Sequence, residues 1–208
     1  MRSMLPWKYK SQNTSERIRR MPRKNLPVLD LLVKAFKESK GKTVDLVIEH
    51  DEIRGVTLAM LQWWTKNHFK DTNDYRMWYP EDHISLEWEV PPSEGSCIGA
   101  IERAEEKIGE FPASVLRIRG EDPSLLPISH KYSDFGLGSI LGPDNKPIAW
   151  ICHERKETPT GLKMRSIFRF PAKTPKRFLD TMRKHNKGEM GHYAEFLPEL
   201  YRQECGLK

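Results

Sequence analysis

The chain is short of cysteine, with three in 208 residues (Cys97, Cys152 and Cys205) and none in a CxxC spacing. An odd, scattered set argues against a disulfide framework and against a thiolate zinc site, and it fits a reducing cytoplasm. No apolar run approaches the roughly 18 residues that a membrane helix needs, so no membrane partner is expected. Internal repeats and low-complexity linkers are also missing. Acidic residues are nearly absent from one stretch: residues 1–24 hold eight Lys/Arg against Glu16 alone. The formal charge of +6 belongs to this arm, because the other 184 residues hold 27 basic and 28 acidic groups out of totals of 35 and 29. A near-neutral body lacks the footprint for gripping a phosphate backbone, so no nucleic-acid partner is expected, and a nucleic-acid reading rests on the arm alone. The arm has no apolar h-region and is not expected to be a secretory signal, although organelle transit peptides share its basic, acid-poor makeup. Residues 1–25 are read as a basic, flexible arm and 26–208 as a single domain.

What is present is a core. The chain has 8 Phe, 6 Trp and 6 Tyr and is 38% hydrophobic, which excludes disorder throughout. Leu29–Val33 with Phe36 predicts a short helix ending at Lys-Gly-Lys 40–42, and 43–49 a short extended segment. Val56–Phe69 is apolar at helical spacing. Tyr75–Pro80 reads as an aromatic loop. In 83–90, Ile84, Leu86, Trp88 and Val90 alternate with Ser85, Glu87 and Glu89, the pattern of a half-buried strand. Strands are also expected in 98–108, 114–119, 136–141, 147–153 and 162–170, punctuated by turn signals at 91–95, 142–147 and 157–161. Thr174-Pro175 supplies an N-cap with proline at the first helical position. Phe178, Met182, His185 and Glu189 then share a face of a C-terminal helix that Pro198 should break or kink. The layout is α+β, with a long helix packed across a curved antiparallel sheet.

His185 and Glu189 stand one helical turn apart and can give two ligands to one metal. On spacing alone a solvent-facing helix of mixed charge is the ordinary reading, as a hydrogen-bonded structural histidine is for His83. Glu102 and Glu106 share a strand face with Ala104, and Glu105 points the other way. If that face is internal, buried carboxylates call for a cation; if external, they are solvated charges. Trp63, Trp64, Trp78 and Trp88 fit either a pocket for a flat ligand or plain core.

Two motifs go further. Tyr75-Arg-Met-Trp-Tyr-Pro-Glu-Asp-His83-Ile-Ser resembles the Y-x-x-W-x-P-x-D-H segment of the 2,4-diacetylphloroglucinol hydrolase and phloretin hydrolase family. His185-Asn-Lys-Gly-Glu189-Met-Gly, followed by Phe196-Leu-Pro-Glu-Leu-Tyr201, resembles the family's C-terminal signature. Met60–Trp64 and Gly161–Phe168 add matches in the family's order, spanning roughly residues 55 to 202. The resemblance implies a helix-grip fold (START/Bet v 1-like), with N-terminal helices and a curved sheet wrapping the C-terminal helix around a cavity. It also implies zinc held by His83, His185, Glu189 and a strand glutamate. Glu106 is chosen for the last because Glu106-Lys-Ile-Gly109 resembles the family's E-x-I-G run, with Glu102 in reserve. The same ligands accept Mn2+ or Fe2+. Gly188 and His192 depart from the pattern, and His192 with Glu195 is a decoy pair.

The activity implied is hydrolysis of the carbon–carbon bond between an acyl group and a phloroglucinol-like ring, on a small aromatic ketone, with room for a homodimer. Because an aryl carbanion leaves poorly, the ring carbon must be protonated and an acid or base must move protons. Tyr75, matching the first motif, is chosen for proton transfer or oxyanion support. His153 is preferred over His130 as a further acid/base or a contact to substrate hydroxyls. Arg165 reads as a strand-surface arginine. The competing class is a non-catalytic helix-grip module that binds a hydrophobic small molecule.

Overall fold

The computed structural model describes residues 26–93, 96–125 and 127–206, so the basic arm at 1–25 lies outside the described residues. Helix α1 (Val28–Ser39) buries Val28, Leu31, Leu32 and Ala35, one stripe at the i, i+3, i+4, i+7 spacing. It ends at Lys40, in the left-handed conformation with φ 49°. Strand β1 (Thr43–Glu49) and a two-residue strand β2 (Ile53–Arg54) follow. Thr57 then caps helix α2 (Leu58–Asn67) by accepting from the Met60 N–H.

The aromatic segment is partly helical, which corrects the expected loop. Helix α3 covers Thr72–Trp78, because Asp71 caps it by accepting from the N–H groups of Asn73 and Asp74. The remaining strands are β3 (His83–Val90), β4 (Ile101–Glu106), β5 (Ser114–Gly120), β6 (Asp134–Leu141), β7 (Pro147–Thr158) and β8 (Gly161–Pro171). All pair antiparallel in one curved sheet of order β1-β8-β7-β6-β5-β4-β3, with β2 added beside β8. Gly161 is needed there, since a Cβ would stand 2.3 Å from the Ile53 carbonyl oxygen.

Helix α4 (Lys176–Glu204) lies against the inner face. Its first cap acceptor is the Pro175 carbonyl, bonded by Phe178 and Leu179; the expected Thr174 cap does not form, and the Thr174 hydroxyl is buried without a hydrogen bond among the described residues. Pro198 does not break the helix, which continues to Glu204. Flanking Leu197 is fully buried in the core shared with α2, β2 and β8, and this packing offsets the lost backbone bond. The buried face of α4 is apolar at both ends. Phe178 and Met182 join the α1–β1–β8 core, while Met190, Tyr193 and Leu197 join the α2 side. Between them sit three buried polar residues: His185, Asn186 and Glu189.

Candidate metal centre

The side chains of His83, His185 and Glu189 meet inside the grip, their ligand atoms all within 4.8 Å of one another. His83 arrives by a change of strand phase. Simple alternation would put it on the outer face with Ser85, but an irregularity between His83 and Ser85 resets the register, so His83 pairs with Glu106 while Leu86 still faces in. Glu106 comes from β4, the next strand, and its Oε2 stands 3.2 Å from His185 Nε2. Glu189 Oε2 lies 3.4 Å from His83 Nε2 and 3.8 Å from His185 Nε2.

The outer contacts decide what these atoms present. His83 Nδ1 donates at 2.9 Å to the carbonyl of Tyr75, in the last turn of α3. A neutral ring then presents a bare lone pair at Nε2. His185 Nδ1 lies 2.8 Å from Asp82 Oδ2, while its Nε2 is buried without a hydrogen bond among the described residues. Asn186 Nδ2 donates to Glu189 Oε1 at 2.6 Å, and the Trp78 indole N–H donates to the Glu189 carbonyl. Two imidazole lone pairs and two carboxylates therefore point at one another. Such acceptors need a shared cation, a proton or a metal.

The electrostatics express the same demand. Burial works against charge on His185, but Glu189, Asp82 and Glu106 outweigh it and raise its pKa. Burial also opposes the Glu189 carboxylate, yet the adjoining imidazoles, His185 foremost, hold its pKa below the usual range. Neutral imidazoles with carboxylate oxygens suit zinc, manganese or iron, and the contacts behind them orient such ligands. The residues present fit a divalent metal.

Beside the cluster lies a cavity of about 270 Å³, into which Glu102, Glu106, Glu189, His153, Arg155 and Tyr193 bring polar groups. Its other walls are largely apolar and include Trp64, Trp78 and Trp88; Trp63 packs instead against His68 and Tyr201. Tyr75 is buried, with its ring stacked on His83 at 3.8 Å. Burial first, then the charges of Glu106, Glu102 and Glu189, raise its pKa and keep the hydroxyl protonated. Glu102 shares the inner face, and burial, then Glu106 and Glu189, push its carboxyl up to about 8.

Not every candidate is gathered in. His130 is exposed and lies against Phe135, on the side of the sheet away from the cavity, so it does not reach the site. The reason is strand phase: Gly136 and His153 pair on the inner face, which turns neighbouring Phe135 outward. Arg165 also faces out, bound to Glu154 and Glu49. His192 pairs with exposed Glu195, outside the cluster. Arg155, Asp82, Tyr79 and Asn186 were missed by the reading of the residues. Asp82 and Asn186 each adjoin a candidate ligand, a usable signal, whereas Arg155 had none.

No curated protein matches the chain. Ara h 8.0201 is similar in fold, with TM-score 0.50 and 12% identity, over 76% of this chain and 98% of that one. Protein NE0264 from Nitrosomonas europaea aligns with TM-score 0.49 and 13% identity, over 78% and 97%. The fold is thus the Bet v 1-like, helix-grip arrangement. No described helix is long and apolar enough to cross a membrane. The DAPG hydrolase PhiG domain matches residues 39–179, more than half of the chain, and the protein belongs to that family.

Proposed function

We propose that this protein is a metal-dependent hydrolase that cleaves the carbon–carbon bond between an acyl group and a phenolic ring, with His83, Glu106, His185 and Glu189 as ligands. One observation carries the reading: four buried side chains turn acceptor atoms toward one another beside an apolar cavity, and His185 Nε2 at their centre has no hydrogen bond among the described residues. Zinc is the preferred ion, and Mn2+ or Fe2+ suits the same ligands. A divalent ion held there supplies Lewis acidity to an acyl carbonyl and to water.

The chain's own groups do the rest. The aromatic walls take a flat ring and exclude bulk water. Burial pulls His153 down to about 4, so at neutral pH it is an uncharged proton acceptor for a phenolic hydroxyl. Tyr75 keeps its proton and can donate a hydrogen bond, and Glu102, whose carboxyl burial holds above the usual carboxylate range, is assigned to deliver a proton to the ring. In the balanced reaction the hydroxyl of water joins the acyl carbon and a proton joins the ring carbon. The electron pair of the broken bond returns to the ring, which leaves as the phenol. Protonating the ring carbon first lets that pair depart as an enolate instead of an aryl carbanion.

The test is elemental analysis of protein purified without added metal, beside assays on acylphloroglucinols. About one zinc, manganese or iron per chain, lost in His185→Ala and Glu189→Ala together with hydrolysis, supports the reading. Wild-type protein that is metal-free and cannot be reconstituted overturns it. Metal-loaded protein that binds acylphloroglucinols without cleaving them makes the chain a binding module.

A further inference from the structure

Away from the metal cluster, the inner sheet face carries two buried polar side chains with no task in the mechanism above: His50, just after β1, and Ser166, on β8. Ser166 Oγ stands 2.8 Å from His50 Nε2 and 2.8 Å from His153 Nδ1. A hydroxyl has one proton, so Ser166 can donate to only one of these nitrogens. The other ring must bring its own N–H. The two histidines are therefore coupled: while both are neutral, one is protonated on the nitrogen facing Ser166 and the other is not.

The sense of the chain follows from its far end. A carboxylate only accepts, so the Asn186 amide nitrogen is committed to Glu189 Oε1. The amide oxygen remains, buried and without a hydrogen bond among the described residues. The Asn186 side chain adjoins His50, where it opposes the lowering effect of burial on that ring. An oxygen accepting from that ring would select the Nδ1–H form of His50 and leave Nε2 as the acceptor. Ser166 then gives its proton to His50 Nε2, and its oxygen accepts from His153 Nδ1–H. The remaining His153 nitrogen, Nε2, is a lone pair on a side chain that lines the cavity.

We propose that His50 and Ser166 are positioning residues that order the protons of His153, holding it as the Nδ1–H tautomer so that Nε2 acts as a base toward the substrate. Asn186 is bonded to Glu189, Ser166 joins His50 to His153, and Asn186 stands beside His50, so one end of the set touches the metal site and the other the ring pocket. This rests on the reading of His153 as an acid/base residue. It adds the reason for the base form: the free imidazole prefers Nε2–H, and the chain reverses that preference.

The test is nitrogen-15 NMR of the histidine rings in the metal-loaded protein, which reports each tautomer directly. His153 is expected as Nδ1–H in the wild type and to relax toward Nε2–H in Ser166→Ala. Activity is expected to fall about 10–100-fold in Ser166→Ala, the usual cost of losing a residue that orients a functional group, with metal content unchanged. In a His153→Ala background, Ser166→Ala should cost nothing more, which a merely structural role would not produce. Should Ser166→Ala fail to fold, His50→Phe keeps the ring's bulk, removes the acceptor and should relax the same tautomer. A wild-type His153 in the Nε2–H form, an unchanged tautomer in the variants, or independent losses overturn the proposal. Full activity in His153→Ala would instead refute the base assignment, and the NMR result would still decide whether the chain orders protons.

Discussion

His185 Nδ1 lies 2.8 Å from Asp82 Oδ2, although the histidine next to Asp82 in the sequence is His83. The first motif therefore serves both imidazoles: His83 enters the cluster itself, and Asp82 reaches across to orient the histidine of α4. Asp82→Asn should weaken zinc binding by about 10–100-fold while leaving the fold intact, as loss of a carboxylate behind a metal-bound histidine does. Competition against a zinc chelator measures this; unchanged affinity would show that Asp82 is only a helix–strand tie.

Gly188 gives a prediction whose sign runs against helix propensity. Gly to Ala inside a helix ordinarily stabilises by about 1 kcal/mol. Here a Cβ would stand 2.3 Å from Tyr79 Oη and 2.8 Å from its Cζ, and the Tyr79 ring packs edge-on to both His83 and His185. Gly188→Ala should displace Tyr79 and speed metal loss, as followed by transfer of zinc to a chelating dye. In a Tyr79→Ala background the same change should become stabilising in urea unfolding.

Buried His153 should make the protein acid-sensitive. Its folded pKa is pulled down to about 4, below the unfolded value of about 6.5, so between those pH values the unfolded chain binds a proton that the folded one does not. Stability therefore falls as pH drops through that window, by up to about 3 kcal/mol. Urea unfolding at pH 7 and pH 5 should show the loss in wild type and a smaller one in His153→Gln.

Glu102 should act in the opposite direction. Its folded pKa, pushed up to about 8, lies above the unfolded value, so the folded state holds a proton that the unfolded state releases as pH rises from about 4.3. Metal-free protein should lose stability between pH 5 and pH 8, and Glu102→Gln should flatten that loss. Chemical unfolding after chelation checks it, and an identical slope in the variant would place Glu102 in water.

Gly136 and Gly138 line the cavity floor on β6. A Cβ at Gly138 would meet only ordinary contacts, at 3.4 Å, so the backbone itself does not require glycine there. Gly138→Val should fill part of the cavity and raise KM for long-chain acyl substrates more than for acetyl ones, at unchanged metal content. Equal effects on both would put the acyl chain elsewhere.

Period and punctuation determined most of the fold. Alternation marked the strands, the 3.6-residue stripe of Phe178, Met182, His185 and Glu189 marked the C-terminal helix, and glycine- and proline-rich turns separated the elements. The two motifs pointed to His83, His185 and Glu189 before any geometry was known. Where the reading failed, the causes differ. Leu197 in the core, a tertiary contact, carries the helix through Pro198, whereas the Asp71 cap, a local signal passed over, turns the aromatic loop into α3.

Tertiary structure alone decided which way the candidate residues face. Alternation would have turned His83 outward, and only the shifted β3–β4 register brings it opposite Glu106. The same phase rule puts His153 inside and leaves His130 out, a difference that residue type cannot express. Asp82 with His185, and Ser166 between His50 and His153, join residues 103, 116 and 13 positions apart. The physical reason is range. Helix and strand periods depend on neighbours a few residues away and are written locally, whereas a metal cluster and a proton-ordering chain are assembled across the sheet, by register and by the seat of α4.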